Sequence, residues 1–275
     1  MQLVLWNLAA LSAVPSRLTA GHEPPLRHLP WLYEPFSAIT HLLGAGVFLV
    51  LSLALVRRAG SDRRRRALMS IYGFSCVFLL LMSGGFHMTT AGTPLNGIMK
   101  RVDHAAIFVL IAGTFTPIHG LLFRGWLRWF PLVLLWAICA CGVIIKIAFF
   151  STMSSTVSLT LYLAMGWFGL LGGLVLCKQR GFCFVRPLLL GGICFSAGAI
   201  MDLCYWPTPI PGVVHAHEMF HLAVLGGMAF HFTFIWRIAE PAPAQPDPQP
   251  DSPPAADFTS LSFPTVSAAR PQGTP

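Results

Sequence analysis

Residues 214–236 read VHAHEMFHLAVLGGMAFHFTFIW, an apolar run of 23 residues with three histidines near its start. A helix needs about 20 apolar residues to cross the hydrocarbon core of a bilayer, so this run is long enough to span one. His217 and His221 are four residues apart, which places both rings on one face of a helix, about one turn apart. A single helix offers two nitrogens to a metal ion with this spacing. The stretch therefore predicts a membrane-spanning helix with part of a metal site at its start.

The composition of the chain is that of a membrane protein. Its 275 residues are 55% hydrophobic and only 10% charged, with a mean hydropathy of +0.68, whereas soluble domains carry about 25% charged residues. The net charge of +8 comes largely from arginines within residues 57–66, where membrane topology and lipid headgroups explain it. We therefore expect an all-α polytopic protein with lipids as its environment and no nucleic-acid partner. The oligomeric state stays open.

Seven apolar runs predict a seven-helix transmembrane domain over residues 36–238. Residues 1–35 are expected to form an irregular, interfacial segment, because prolines interrupt any helix there. Residues 239–275 are rich in Pro, Ala and Ser and are predicted to be a disordered tail. The predicted spans are residues 37–56, 67–88, 102–122, 129–150, 156–177, 187–206 and 214–236.

Counting spans brings distant polar residues to one membrane depth. Odd-numbered spans begin, and even-numbered spans end, on the side of the N-terminus. The ends of spans 2 and 6 therefore meet the starts of spans 3 and 7. Acids inside apolar spans are costly and are functional candidates. The polar residues at these ends are His87, Asp103, Asp202, His217 and His221.

Three of these residues suit a catalytic zinc site, which uses three protein ligands and leaves one position for water. His87, His217 and His221 would supply the nitrogens. Asp103 could hold the zinc-bound water and take its proton, since such water ionises near neutral pH. Ser83, one turn before His87, could hydrogen-bond the water, a neighbouring acid or an oxyanion.

Other polar residues on this side have supporting roles or alternative ones. Asp202 and Glu218 are spare acids that could orient a ligand imidazole through its free nitrogen. His41, early in span 1, is a candidate ligand or substrate contact. Asp103 could instead form an ion pair with a basic residue at positions 100–101.

Residues 217–221 also satisfy H-E-x-x-H, the zinc-peptidase signature, with Glu218 as general base. Proteases of this type need a third ligand, usually an acid downstream. Only Glu240 and the aspartates of the tail follow, beyond the last span. The missing third ligand argues against a protease, which is kept only as an alternative.

Basic residues near the span ends predict the orientation. Twelve lie on the side opposite the site: Arg57, Arg58, Arg63, Arg64, Arg65, Arg66, Arg124, Arg128, Lys178, Arg180, Arg186 and Arg237. Five lie on the site side: Arg17, Arg27, Lys100, Arg101 and Lys146. The positive-inside rule then places the N-terminus and the site outside the cytoplasm and the C-terminus inside, in a bacterial plasma membrane.

Six motifs in five of the spans together resemble the hemolysin III family, the bacterial branch of the progestin and adipoQ receptor superfamily. The resemblance covers about residues 34–237. Its motifs are Ser37-Ala-Ile-Thr-His41, Ser83-x3-His87, Asp103-His104-Ala-Ala-Ile107, Ile111-Ala-Gly-Thr-Phe-Thr-Pro117, Tyr162-Leu-Ala-Met-Gly-Trp167 and His217-x3-His221.

The resemblance implies a seven-helix bundle around a buried zinc ion. It implies His87, His217 and His221 as zinc ligands, Asp103 as the acid that holds the water, and Ser83 as its companion. The superfamily is similar to alkaline ceramidases, which implies hydrolysis of a lipid amide. Receptor members have a cytoplasmic N-terminus, opposite to the orientation that the basic residues predict here.

Three functions follow as hypotheses. The first is a zinc-dependent membrane hydrolase of a lipid amide or ester. The second is a zinc-stabilised receptor or membrane-homeostasis protein without turnover, in which the metal ties spans 2 and 7 together. The third is the intramembrane protease.

Overall fold

The computed structural model describes residues 32–240, and its long regular elements are all α-helices. Seven of them are long and apolar enough to cross a membrane. A short 3₁₀ turn, Phe150–Thr152, lies between the fourth and fifth. The predicted interfacial segment and tail lie almost entirely outside the described residues. The helices are α1 (Pro35–Arg58), α2 (Arg63–Met88), α3 (Pro94–Leu122), α4 (Trp126–Ala148), α5 (Ser155–Arg180), α6 (Phe182–Cys204) and α7 (Ala216–Ala239).

Six of the seven helices begin earlier than the apolar runs predict, and the local sequence explains the early start of α2 and α3. Helix α2 begins at Arg63 rather than at residue 67, because the Asp62 carboxylate caps it by accepting the N–H groups of Arg64 and Arg65 at 2.8 and 3.1 Å. Helix α3 begins eight residues before the predicted span, where the chain supplies a Thr N-cap followed by proline. An apolar run marks the part of a helix that lies in lipid, so it misses these polar first turns. The other helix ends differ from the prediction by five residues or fewer.

Helices that are neighbours in sequence mostly pack side by side, and α1 closes the bundle against α7. Helix α3 is the most buried and contacts α2, α4, α5 and α7. Helices α1 and α2 approach closely at Gly84, where an added Cβ would lie 2.7 Å from Leu42 Cγ. This close approach brings the end of α2 beside the start of α1, which positions His87.

The opposite end of the bundle is held by arginines. Arg58 Nε donates to the Trp236 carbonyl at 3.2 Å, and Arg65 donates to the Ile238 carbonyl at 2.9 Å. Carbonyls at the end of a helix lack partners within the helix and carry partial negative charge, so a guanidinium stabilises them. The two arginines therefore fix the end of α7 against α1 and α2, and with it the direction in which α7 presents its first turn.

Candidate metal centre

Three histidine rings meet at the end of the bundle where α2 ends and α7 begins. A nitrogen of each ring lies within 4.8 Å of a nitrogen of the other two, in the set His87, His217 and His221. The Nε2 atoms of His217 and His221 are 3.0 Å apart. His87 and His221 are buried, whereas His217 is partly exposed. The centre is therefore open on the side of His217.

Carboxylates hold the outer nitrogens of two of these rings. Asp202 at the end of α6 accepts a hydrogen bond of 2.9 Å from His217 Nδ1, and Glu34 accepts one from His87 Nδ1. A carboxylate has no hydrogen to donate, so both Nδ1 atoms carry one. In a neutral ring the Nε2 atom then carries no hydrogen, and its lone pair is available to a metal ion at the centre.

The third ring is held by another histidine. His221 Nδ1 lies 2.8 Å from His41 Nε2, and the two rings meet edge to face with centroids 4.1 Å apart. His41 is buried on α1. The structure therefore places His41 behind His221 rather than at the centre itself.

The donor set fits a zinc ion. Zinc–imidazole bonds of about 2.0–2.1 Å in a tetrahedral arrangement place ligand nitrogens about 3.3 Å apart, close to the spacing of the His217 and His221 Nε2 atoms. The Nε2 atom of His87 is buried and has no hydrogen-bond partner among residues 32–240. Buried polar atoms are rarely left in this way. Three imidazoles with an open side match the ligand set of a catalytic zinc site.

Glu34 is a site residue that the sequence did not single out. Besides its contact with the His87 ring, its backbone N–H donates to the His87 carbonyl at 2.9 Å. The carbonyl belongs to the last turn of α2, so the backbone of Glu34 also satisfies an orphan group there. Span counting could have found it, because Glu34 directly precedes α1 on the side of the site. It was missed because it lay within the segment expected to be irregular.

Asp103 and Ser83 lie near the rings. Asp103 is buried on α3, close enough to His87 and His41 to interact with them electrostatically. Its Oδ2 atom lies 3.5 Å from His104 Nδ1. Arg101, one of its alternative partners, instead donates to a backbone carbonyl of α4. Ser83 is buried on α2, one turn before His87.

Comparison with known proteins agrees with this arrangement. A sequence profile described as haemolysin-III related matches residues 29–232. The chain belongs to the haemolysin III family. It is 33% identical over 201 residues to hemolysin-3 of Bacillus cereus, an alignment that covers 72% of this chain and 88% of that protein. Identity to the hemolysin-3 homolog of Bacillus subtilis is also 33% over 201 residues, covering 72% of this chain and 91% of that one. The human monocyte to macrophage differentiation factor is 25% identical over 228 residues, covering 79% of this chain and 90% of that protein.

The family suggested by the sequence motifs is thus confirmed, and membership in the wider superfamily is consistent with these relatives. The haemolysin III region includes every residue of the centre, from Glu34 to His221. Together with seven apolar helices, it identifies a multi-pass membrane protein.

Glu218 has hydrogen-bond partners other than a ligand imidazole. Its Oε1 atom accepts from the Ser37 hydroxyl at 3.1 Å, and its Oε2 atom accepts from the backbone N–H of His215 at 3.0 Å. The second contact is half of a capping box at the start of α7. Glu218 therefore joins the first turns of α1 and α7, and it hydrogen-bonds neither His217 nor His221.

Proposed function

We propose that the protein is a zinc-dependent hydrolase of a lipid amide or ester, with His87, His217 and His221 as the zinc ligands. The observation that carries the proposal is the Nε2 lone pair of His87, which is buried beside the His221 ring without a partner in the described chain. An unsatisfied buried acceptor costs about 1–3 kcal/mol. A metal ion at the centre removes that cost and explains why all three rings are held from behind.

Each group at the centre has a separate role in the proposed hydrolysis. Zinc, when bound, supplies a Lewis acid that lets water ionise near neutral pH. In this proposal the Asp103 carboxylate orients the attacking water and accepts its proton. The Ser83 hydroxyl donates to the negative charge that develops on the carbonyl oxygen.

Asp103→Asn tests this assignment. Purified protein is assayed for zinc content and for hydrolysis of N-acyl and O-acyl lipids of matched chain length. We expect zinc to stay while turnover falls roughly 10²–10⁴-fold, the usual contribution of general acid–base catalysis. Asp62→Asn is the matched control, since Asn also caps helices well and residue 62 lies at the opposite end of the bundle. Loss of zinc, or unchanged turnover, would contradict the role given to Asp103.

A second candidate is a protein in which the metal has a purely structural role, as in a receptor or membrane-homeostasis protein. It is favoured by the way the centre joins the residue before α1 to the end of α2 and the start of α7. In that case zinc removal lowers the unfolding temperature, and the wild-type protein hydrolyses none of the lipids. A zinc-free wild-type protein would eliminate both candidates.

The protease hypothesis has less support. The Glu218 carboxylate accepts hydrogen bonds from the Ser37 hydroxyl and from the backbone N–H of His215 at the start of α7. Glu240, the nearest downstream acid, pairs with Arg58 at 2.6 Å at the far end of α7. It follows His221 by 19 residues, which is roughly 29 Å along a helix at about 1.5 Å per residue. Neither acid is positioned to assist a peptidase centre.

We also propose that the centre faces the outside of the cell. The basic residues cluster at the opposite end, which the positive-inside rule assigns to the cytoplasm. Leu95 is 57% exposed near the start of α3 on the site side. A cysteine introduced there should react with a membrane-impermeant reagent in intact cells; reaction only in inverted vesicles would reverse the orientation.

A further inference from the structure

A cavity of about 270 Å³ lies within the bundle, among α3, α5, α6 and α7, with walls that are mostly Leu, Ile, Phe and Gly. None of His87, His217 and His221 lines it. Its size is near the lower end of the range for small-molecule sites. The hydrogen-bonding state of its few polar groups identifies the kind of molecule that it fits.

The hydroxyl and indole groups of the wall have already donated their hydrogens inside the protein. A hydroxyl has one hydrogen, so each retains only acceptor capacity towards the cavity. The thiol of Cys177 also lines the cavity, but thiols are weak donors. The bonds are Thr114 to the Leu110 carbonyl (2.8 Å), Tyr162 to the His104 carbonyl (2.9 Å), Ser196 to the Gly192 carbonyl (2.8 Å) and Trp167 to the Ser196 oxygen (2.8 Å).

His119 presents a bare nitrogen, and Pro131 explains why. Proline has no N–H, so Leu127, four residues earlier in α4, lacks a helical donor for its carbonyl. His119 Nδ1 donates to that carbonyl at 2.9 Å. The neutral ring then has a lone pair on Nε2. Stacking against Phe115 and Phe123, with interplanar angles of 17°, fixes the plane of the ring.

His231 on α7 has the same arrangement with its nitrogens reversed. Its Nε2 donates to the Leu188 carbonyl on α6 at 3.1 Å, which leaves the lone pair on Nδ1. The ring lies directly over Gly191, where an added Cβ would be 2.2 Å from His231 Cδ2. Phe195 packs edge-on against it. Neither bare nitrogen has a hydrogen-bond partner in the part of the chain that the structure describes.

The cavity is therefore apolar, and its strong hydrogen-bonding groups are acceptors. A carboxylate would bring further acceptors and a negative charge, and no Lys or Arg lines the wall to compensate it. An ether or ester would leave both histidine nitrogens unpaired. A hydroxyl group supplies the missing hydrogen without any charge.

We infer that this cavity binds a long-chain lipid with a free hydroxyl group, which donates to His119 Nε2 or His231 Nδ1 while the chain packs against the apolar wall. The site does not depend on hydrolysis or on the metal. Lipid reaches it from the bilayer in which α5 and α6 are embedded.

The test uses the protein in lipid nanodiscs and a long-chain alcohol that carries a photoreactive diazirine. Labelled peptides are mapped by mass spectrometry. Competitors of equal chain length carry an alcohol, a methyl ether or a carboxylate, compared at equal mole fraction in the bilayer. We expect labelling of the cavity wall and roughly tenfold better competition by the alcohol than by the ether, since one hydrogen bond contributes up to about 1.5 kcal/mol.

The variants His119→Phe and His231→Phe should reduce the preference for alcohol over ether and leave zinc content unchanged. Labelling should be the same before and after metal removal. Equal competition by alcohol and ether in the wild-type protein, stronger competition by the carboxylate, or labelling outside the cavity would each overturn the inference. The wild-type comparison decides even if a variant fails to fold.

Discussion

Helix α7 carries histidines in two environments. At its start, His217 is held from behind by a carboxylate, and the same is true of His87 across the centre. Further along, His231 is held by a backbone carbonyl, as is His119 on α3. All four rings present a bare nitrogen, but only the first pair has negative charge behind it. In a medium of low dielectric, such charge offsets a bound cation, whereas a neutral carbonyl favours a neutral ligand. We therefore expect the group that accepts the hydrogen bond from each ring, a carboxylate or a carbonyl, to determine whether the site suits a cation or a neutral ligand.

The largest expected difference between the two environments is in metal content. His221→Ala removes one of three protein ligands and should reduce zinc from about one ion per chain to nearly none. His231→Ala, on the same helix, should leave it unchanged. Elemental analysis of both variants, purified in parallel, measures this. Zinc retained in the first or lost in the second would remove the distinction between the two regions.

Removing the charge of a carboxylate that hydrogen-bonds a ligand ring should have the next largest effect on zinc binding. Glu34→Gln keeps the shape of the side chain but removes its charge, and zinc affinity should fall about 10–100-fold, as it does for outer-shell partners elsewhere. Competition with a chelator gives the affinity. Glu240→Gln is the control, because that acid pairs with Arg58 at the far end of α7. If Glu34→Gln and Glu240→Gln bind zinc equally well, the charge behind His87 has no role.

Glu34 also illustrates which residues the apolar runs do not predict. Apolar runs predicted seven helices, because lipid demands long apolar segments with their backbone groups satisfied internally. Counting those runs brought His87 to the same depth as His217 and His221. The runs do not include Glu34 or the polar first turns of α2 and α3, so these residues were missed, although Glu34 directly precedes α1 on the side of the site.

The cavity could not be predicted for a different reason. His119 and His231 look alike in sequence, as isolated histidines in apolar helices. Which nitrogen of each carries the hydrogen depends on a carbonyl from a neighbouring helix, Leu127 of α4 or Leu188 of α6. Only the packing of the bundle determines that pairing.

A moderate loss of stability is expected when the glycine beneath the His231 ring is replaced. Gly191→Ala would place a Cβ against His231 and within 3.0 Å of the Gly227 carbonyl, and such overpacking typically costs about 1–3 kcal/mol. Its neighbour Gly192 has only an ordinary contact with Trp167 at 3.9 Å, so Gly192→Ala is the matched control. Thermal unfolding in detergent compares them at equal zinc content. Equal unfolding temperatures would show that His231 is not fixed over Gly191.

The smallest effect is expected for Glu218→Gln. It weakens the capping box at the start of α7, which costs about 1 kcal/mol, and leaves the histidine rings in place. Zinc content and any lipid hydrolysis should be retained. A complete loss of hydrolysis in a variant that still folds and binds zinc would instead make Glu218 the general base.

X-ray absorption at the zinc edge of the purified wild-type protein determines directly whether the three histidines bind zinc. We expect one zinc ion with three imidazole nitrogens at about 2.0–2.1 Å and an oxygen in the remaining position. Sulfur ligands at about 2.3 Å, fewer than three imidazoles, or a protein without zinc would contradict it.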